Sequence, residues 1–261
     1  MKKLFSFLLI LPLLLSAFPI NPSARSALPA CTAQAAILIE QQDGKVLFSK
    51  NENAPLPPAS TTKIMTALVV LESCQLFETV TVPKEAVGTE GSSAYLRIGE
   101  QLSVLDLLYC LMLRSANDAA VALAYHTAGS VEAFAGMMNE KAKALDLSNC
   151  HFENPHGLDS QNHYISAKDM AALAAYCLNN PLFCKIVSTK SITIGNGENA
   201  RLLTNHNRLL QTLPGCIGVK TGYTIRSGRC LVSACKKEET VLVCVTFNCR
   251  PEESSHLLTM T

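Results

Sequence analysis

Segments that read as strands stand at both ends of this chain, with helical ones between them, and this arrangement constrains the fold more than any other feature. Near the start, "AAILIEQQDGKVLFSK" (35–50) reads as two strands joined by a turn at Asp43–Gly44. At the far end, "GCIGVKTGYT" (215–224), "GRCLVSACKK" (228–237) and "TVLVCVTFN" (240–248) read as three strands rich in valine and threonine, the last two forming a hairpin around "KKEE". Between them, "SVLDLLYCLMLRS", "SANDAAVALAYHTAG", "VEAFAGMMNEKAKAL" and "SAKDMAALAAYCLNN" carry apolar residues at helical period. Ser103 with Asp106, and Ser166 with Asp169, have the spacing of a capping box. Residues 79–102 read as short strands and loops, 148–165 as a polar loop, and "SITI" as a short strand. The pattern is α+β: a mostly antiparallel sheet assembled from both termini, with a helical middle.

Of the 261 residues, 48% are hydrophobic and 16% charged, enough to bury a large core. The net charge of +1 and the lack of basic runs beyond the N-terminus argue against a nucleic-acid partner. "MKKLFSFLLILPLLLSAF" has two lysines, a short apolar run and then small residues, the layout of an export signal over residues 1–27. An uncleaved anchor is the alternative. Eleven cysteines show no C-x-x-C pairing, and Cys110, Cys177, Cys230 and Cys244 sit in apolar runs, so core packing is the expected role of most.

"PPASTTKIMTALVVLE" (57–72) places Ser60 three positions before Lys63 at the start of an apolar helix. Residues at this spacing share a helix face. A serine needs a base to become nucleophilic, and a lysine serves only when burial or nearby positive charge keeps it neutral. The spacing alone means little, since Ser233 and Lys236 repeat it on a strand, where positions three apart face opposite ways. Two other elements add weight. "SANDA" (115–119) reads as a helix cap by Ser115 and Asp118, or as polar groups brought to a site. "KTG" (220–222) reads as an ordinary strand start, or as an edge able to bind an extended peptide and its carboxylate.

S-x-x-K, S-x-N and K-T-G in this order resemble the signature of penicillin-binding proteins and class A β-lactamases. "PPASTTKIMTALVVLE", "LRSANDAAVALA", "FENPHGLD", "TNHNRLL" and "GVKTGYT" are similar to stretches of the serine-type D-Ala-D-Ala carboxypeptidases, peptidase family S11. The resemblance implies a β-lactamase/transpeptidase-like fold with a helical subdomain, and a catalytic domain over 28–261 that uses no cofactor or metal. It implies that Ser60 is acylated, that Lys63 takes its proton, that Ser115 relays a proton to the leaving group and that Asn117 holds the substrate amide and Lys63. Lys220 and Thr221 would bind the terminal carboxylate, Gly222 would let the substrate backbone approach, and the N–H groups of Ser60 and Tyr223 would form the oxyanion hole. The implied partners are peptidoglycan stem peptides ending in D-Ala-D-Ala, and β-lactams as acylating mimics. Location would be extracytoplasmic, with membrane attachment only through an uncleaved N-terminus or a C-terminal segment beyond Thr261.

There are departures. Ala116 replaces the aspartate of S-D-N, Ser227 stands where the family often has alanine, and Arg250 is the match for a carboxylate-holding arginine. Thr261 falls partway into what should be a terminal helix, so the catalytic domain reads as truncated. Three rivals remain. A class A β-lactamase would use Glu153 to activate water. A non-catalytic cell-wall-binding protein would keep the fold alone. A zinc peptidase would use His151, His156 and His163, although no H-E-x-x-H motif is present.

Overall fold

The structure, a computed structural model, describes residues 31–195 and 197–249. The export-signal and Arg250 expectations lie outside these residues. Strands β1 (Ala35–Glu40) and β2 (Val46–Lys50) form the expected hairpin, with Gly44 at φ +70° in its turn. A 3-10 turn, Ala59–Thr62, leads into α1 (Lys63–Ser73). Strands β3 (Thr79–Thr81) and β4 (Gln101–Ser103) pair across a long loop. Helix α2 (Val104–Leu113) is capped as expected, the Asp106 N–H donating to Ser103 Oγ at 3.0 Å. Helix α3 (Asn117–Ala128) ends on left-handed Gly129, and α4 (Val131–Ala144) is capped by Ser130. Two short strands, β5 (Cys150–His151) and β6 (Tyr164–Ile165), close the polar loop. Helix α5 (Ala167–Cys177) starts on the Ser166 cap.

Then follow α6 (Pro181–Ser188), β7 (Ser191–Ile194), β8 (Arg201–Thr204) and α7 (Leu209–Thr212). Of these, sequence patterning anticipates only β7. Helix α6 is too short for its period to register, although Asn180 as cap and Pro181 as first helical residue are its local signature. Strands β9 (Cys216–Thr224), β10 (Gly228–Lys237) and β11 (Thr240–Cys249) complete an antiparallel sheet of order β2-β1-β11-β10-β9. Strand β1 pairs with β11, so the sheet is closed by the two ends of the chain. Lys220–Gly222 occupy the latter half of β9, not its head, because the strand begins at Cys216.

Strand β1 is buried on both faces. Ala35, Ile37 and Ile39 face the main helical core, while Ala36 and Leu38 face a smaller cluster that includes Leu209, Leu231 and Cys244. Helix α1 is buried all round from Lys63 to Val70, which marks a central core helix rather than an amphipathic surface one. The one ionisable residue of this buried stretch, Lys63, is therefore committed to the interior. The chance repeat behaves as strand geometry requires: Ser233 is buried and Lys236 exposed. No disulfide is present among the described residues, and Cys110, Cys177, Cys230 and Cys244 are buried as expected of small hydrophobes.

Candidate active site

The Ser60 turn is wedged between two glycines. Ala59, just before the serine, is in the left-handed region at φ +49°. A Cβ on Gly157, itself at φ +87°, would overlap the Ala59 carbonyl, and one on Gly222 would lie 3.0 Å from Ser60 N. Space at Gly222 is thus taken by the serine's own turn as β9 passes behind it. Non-glycine residues in this region cost of order 1–3 kcal/mol and persist only when their surroundings enforce them; here the two glycine contacts do so.

Lys63 Nζ lies 3.0 Å from Ser60 Oγ, 2.7 Å from Asn117 Oδ1 and 2.6 Å from the His156 carbonyl. Burial holds its pKa well below the ordinary lysine value, the charge of Lys220 adds to this, and Asp118 opposes it. A neutral amine has two N–H donors and one lone pair. Two of its three neighbours are pure acceptors and take both donors, which leaves the lone pair facing the Ser60 hydroxyl. The Asn117 amide is fixed in the orientation this needs, since its Nδ2 donates to Glu90 O at 2.5 Å.

Ser115 does not cap α3. The cap position is Ala116, without a side-chain bond, and Ser115 is at φ +60°. Its Oγ is buried without a hydrogen-bond partner and lies on the wall of the cleft. Asp118, the expected partner of that cap, instead accepts from Ser93 Oγ and from the N–H groups of Ala94, Leu96 and Ala119 at 2.6–3.1 Å. It ties the 93–96 segment to the start of α3, while Asn117 N–H donates to Ser92 O at 2.7 Å. Neither anchoring role has a sequence signal beyond the motif itself.

On β9, Lys220 is 2% exposed, and its Nζ donates to Thr221 O at 2.9 Å. Burial lowers its pKa to about 7. The two ammonium charges repel each other, so a proton on Lys220 favours the neutral form of Lys63. Strand β9 is the sheet edge, and Thr221, Gly222 and Tyr223 line a cleft of about 640 Å³ together with Ser60 and Ser115. Arg208 and Arg229 add two cationic side chains to it. The sequence reading missed both, and the only hint of Arg208 was the stretch "TNHNRLL".

The loop of rival candidates is a clamp for α1. Thr66 Oγ1 donates to Pro155 O at 2.6 Å, and His156 contributes its carbonyl to Lys63. His163 is a buried residue, not a polar surface histidine as its loop suggested. Its Nδ1 accepts the Glu153 N–H at 3.0 Å, so its Nε2–H donates to Thr62 Oγ1 at 2.8 Å. Burial lowers His163 to about 4 and His156 to about 3. His151 Nδ1 donates to Asn162 O, so the three histidines have separate partners. The Glu153 carboxylate accepts from Ser160 Oγ and Asn162, inside its own loop, and is not among the residues lining the cleft.

The family model for D-alanyl-D-alanine carboxypeptidase matches residues 22–250. The D-alanyl-D-alanine carboxypeptidase DacF of Bacillus subtilis is 39% identical over 257 residues, covering 95% of this chain and 66% of the relative. DacA of Escherichia coli K12 is 36% identical over 88% of this chain and 61% of its own. The chain thus spans slightly under two thirds of these relatives' length. Among solved structures, a D-alanyl-D-alanine carboxypeptidase from Mycobacterium tuberculosis H37Rv superposes with a TM-score of 0.84 at 30% identity, covering 90% of this chain and 89% of that one. The Streptomyces K15 DD-transpeptidase gives 0.81 at 32% identity, covering 85% and 91%. With the motifs, the sheet topology and the family model all in agreement, the chain belongs to the D-alanyl-D-alanine carboxypeptidase family, peptidase family S11.

Proposed function

We propose that this chain is an extracytoplasmic serine D-Ala-D-Ala carboxypeptidase that removes the terminal D-alanine of peptidoglycan pentapeptides and is acylated by β-lactams. The observation that carries this reading is the buried Lys63 amine, whose two donors are occupied and whose remaining position faces Ser60 Oγ. An extended stem peptide lies along the β9 edge, its carboxylate drawn to Lys220 and Thr221 and to the cationic wall of the cleft. Ser60 Oγ attacks the penultimate carbonyl as its proton passes to Lys63. The N–H groups of Ser60 and Tyr223 receive the oxyanion. Ser115, with its unpartnered hydroxyl at the cleft wall, passes a proton to the departing D-alanine amine. Water then hydrolyses the ester and frees Ser60. Asn117 holds Lys63 in place throughout.

Residues 1–27 act as the export signal and 28–261 as the catalytic domain in this reading. A β-lactamase reading is disfavoured because the Glu153 carboxylate is engaged by Ser160 and Asn162 within its own loop. The test is to incubate the exported form with a muramyl pentapeptide and measure free D-alanine, alongside labelling by a fluorescent penicillin. Release and labelling are expected in the wild type, and neither in Ser60→Ala. Labelling without release overturns the carboxypeptidase assignment. An added amine acceptor distinguishes hydrolysis from the transfer reaction named for the Streptomyces relative.

A further inference from the structure

At the opposite end of α1 from Ser60, three potential metal ligands converge from three elements. Cys74 is the residue that ends α1, Glu78 directly precedes β3, and His126 is in the last turn of α3. One donor atom from each lies within 4.8 Å of the other two. His126 Nε2 is 3.0 Å from Glu78 Oε2, and Cys74 Sγ is 3.3 Å from Thr127 Oγ1. We propose that Cys74, Glu78 and His126 form a divalent-metal site of zinc type that staples α1 to α3.

The donor set selects the metal. Thiolate, imidazole and a single carboxylate suit a borderline ion such as Zn²⁺ and are poor for Mg²⁺ or Ca²⁺. Bonds of about 2.0–2.3 Å in a tetrahedron set donors roughly 3.3–3.8 Å apart, so the imidazole and carboxylate, now 3.0 Å apart, open slightly while the thiol sulfur, within 4.8 Å of both, closes on them. Three protein ligands leave the fourth position to water. An outer partner is already in place: the Gln75 N–H donates to Glu78 Oε1 at 3.2 Å and fixes the carboxylate. The Thr127 hydroxyl donates to Leu123 O at 2.8 Å, so toward Cys74 it offers only a lone pair, and the S–H is the donor there. Metal binding replaces that thiol proton, which is released, and the imidazole proton moves to Nδ1. Both helices present their C-terminal, electronegative ends to the site.

The consequence is structural rather than chemical. Helix α1 carries Lys63 and α3 carries Asn117 at their N-termini, and the metal joins the same two helices at their far ends, about 16 Å away along α1. The test uses the full chain, kept reduced and freed of metal, titrated with Zn²⁺ against a chromophoric chelator and with Co²⁺ by absorption. The wild type is expected to bind one ion more than Cys74→Ser or His126→Ala, with a thiolate-to-cobalt band that both variants lose. Glu78→Gln should weaken binding at least about tenfold. Zinc at a hundredfold excess over its dissociation constant should raise the wild-type melting temperature by roughly 5–10 °C and leave these variants unmoved. Penicillin labelling of His126→Ala confirms that it is folded. Equal stoichiometry and spectra in wild type and variants would assign any bound metal to the other cysteines. No binding by the wild type would leave only a helix-end ion pair. Either result overturns the proposal.

Discussion

Lys220 offers the sharpest test of how this site is built. It is 2% exposed, its amine donates to Thr221 O, and no carboxylate among the described residues pairs with it. Burial lowers its pKa from 10.5 to about 7. The folded value is the lower one, so between pH 7 and 10.5 the unfolded chain binds more protons. Stability from this group therefore rises with pH across that window and is at its poorest below it. That lowering corresponds to roughly 4–5 kcal/mol opposing folding at or below neutral pH. Lys220→Met removes the charge and keeps most of the apolar stem. Allowing for the lost hydrogen bond, about 1 kcal/mol, and imperfect packing, the variant should be about 2–4 kcal/mol more stable at pH 7. Urea melts at pH 7 and pH 10, monitored by circular dichroism, measure this. The expected result is a variant that outlasts the wild type at pH 7, by a margin that shrinks at pH 10, and that fails to release D-alanine. Thiols exposed on unfolding ionise in alkali in both proteins, so the difference between them reports Lys220 together with its repulsion of Lys63. A variant less stable at pH 7, or a margin independent of pH, would refute the view that β9 holds a strained charge for the substrate carboxylate.

Other consequences follow from the same contacts. In the free enzyme Lys220 loses its proton near pH 7, so kcat/KM should fall above about pH 7, while kcat, measured with the carboxylate bound, should hold to higher pH; superimposable alkaline limbs would contradict this. Asp118→Ala strands four donors around α3 and should cost about 3–5 kcal/mol in a urea melt, with Asp118→Asn milder. Gly157→Ala puts a Cβ into the Ala59 carbonyl at a left-handed position, so a loss of at least about 3 kcal/mol is expected, along with penicillin labelling. Asn117→Ala leaves a Lys63 donor and the Glu90 carbonyl without their partner and should slow acylation by about 10²–10⁴ while costing roughly 1–3 kcal/mol in a urea melt; an unchanged rate would show that Lys63 is aligned by His156 O alone.

By itself the sequence determined the sheet from both termini, the helical middle, the Ser103 and Ser166 caps and the three motifs that line up the proposed site. These are set by local rules: period-2 and period-3.6 patterning, serine–aspartate spacing, and short motifs on single elements. It left open whether Ser115 and Asp118, whose spacing imitates a capping box, cap α3, because only the fold shows Asp118 taken by the 93–96 segment. It did not reveal α6, α7 or β8, each too short to show a period. Tertiary structure alone decided the chemistry of Lys63. A lysine on an apolar helix is held toward its neutral form, as the proposed base must be, because the first two turns of α1 are enclosed, Lys220 lies near, and an amide and a backbone carbonyl accept from its amine. That carbonyl belongs to His156, 93 positions along the chain, and a main-chain oxygen leaves no mark in the sequence. Desolvation and hydrogen-bond direction are properties of a packed environment, which is why the motif names the groups and the fold fixes their protonation.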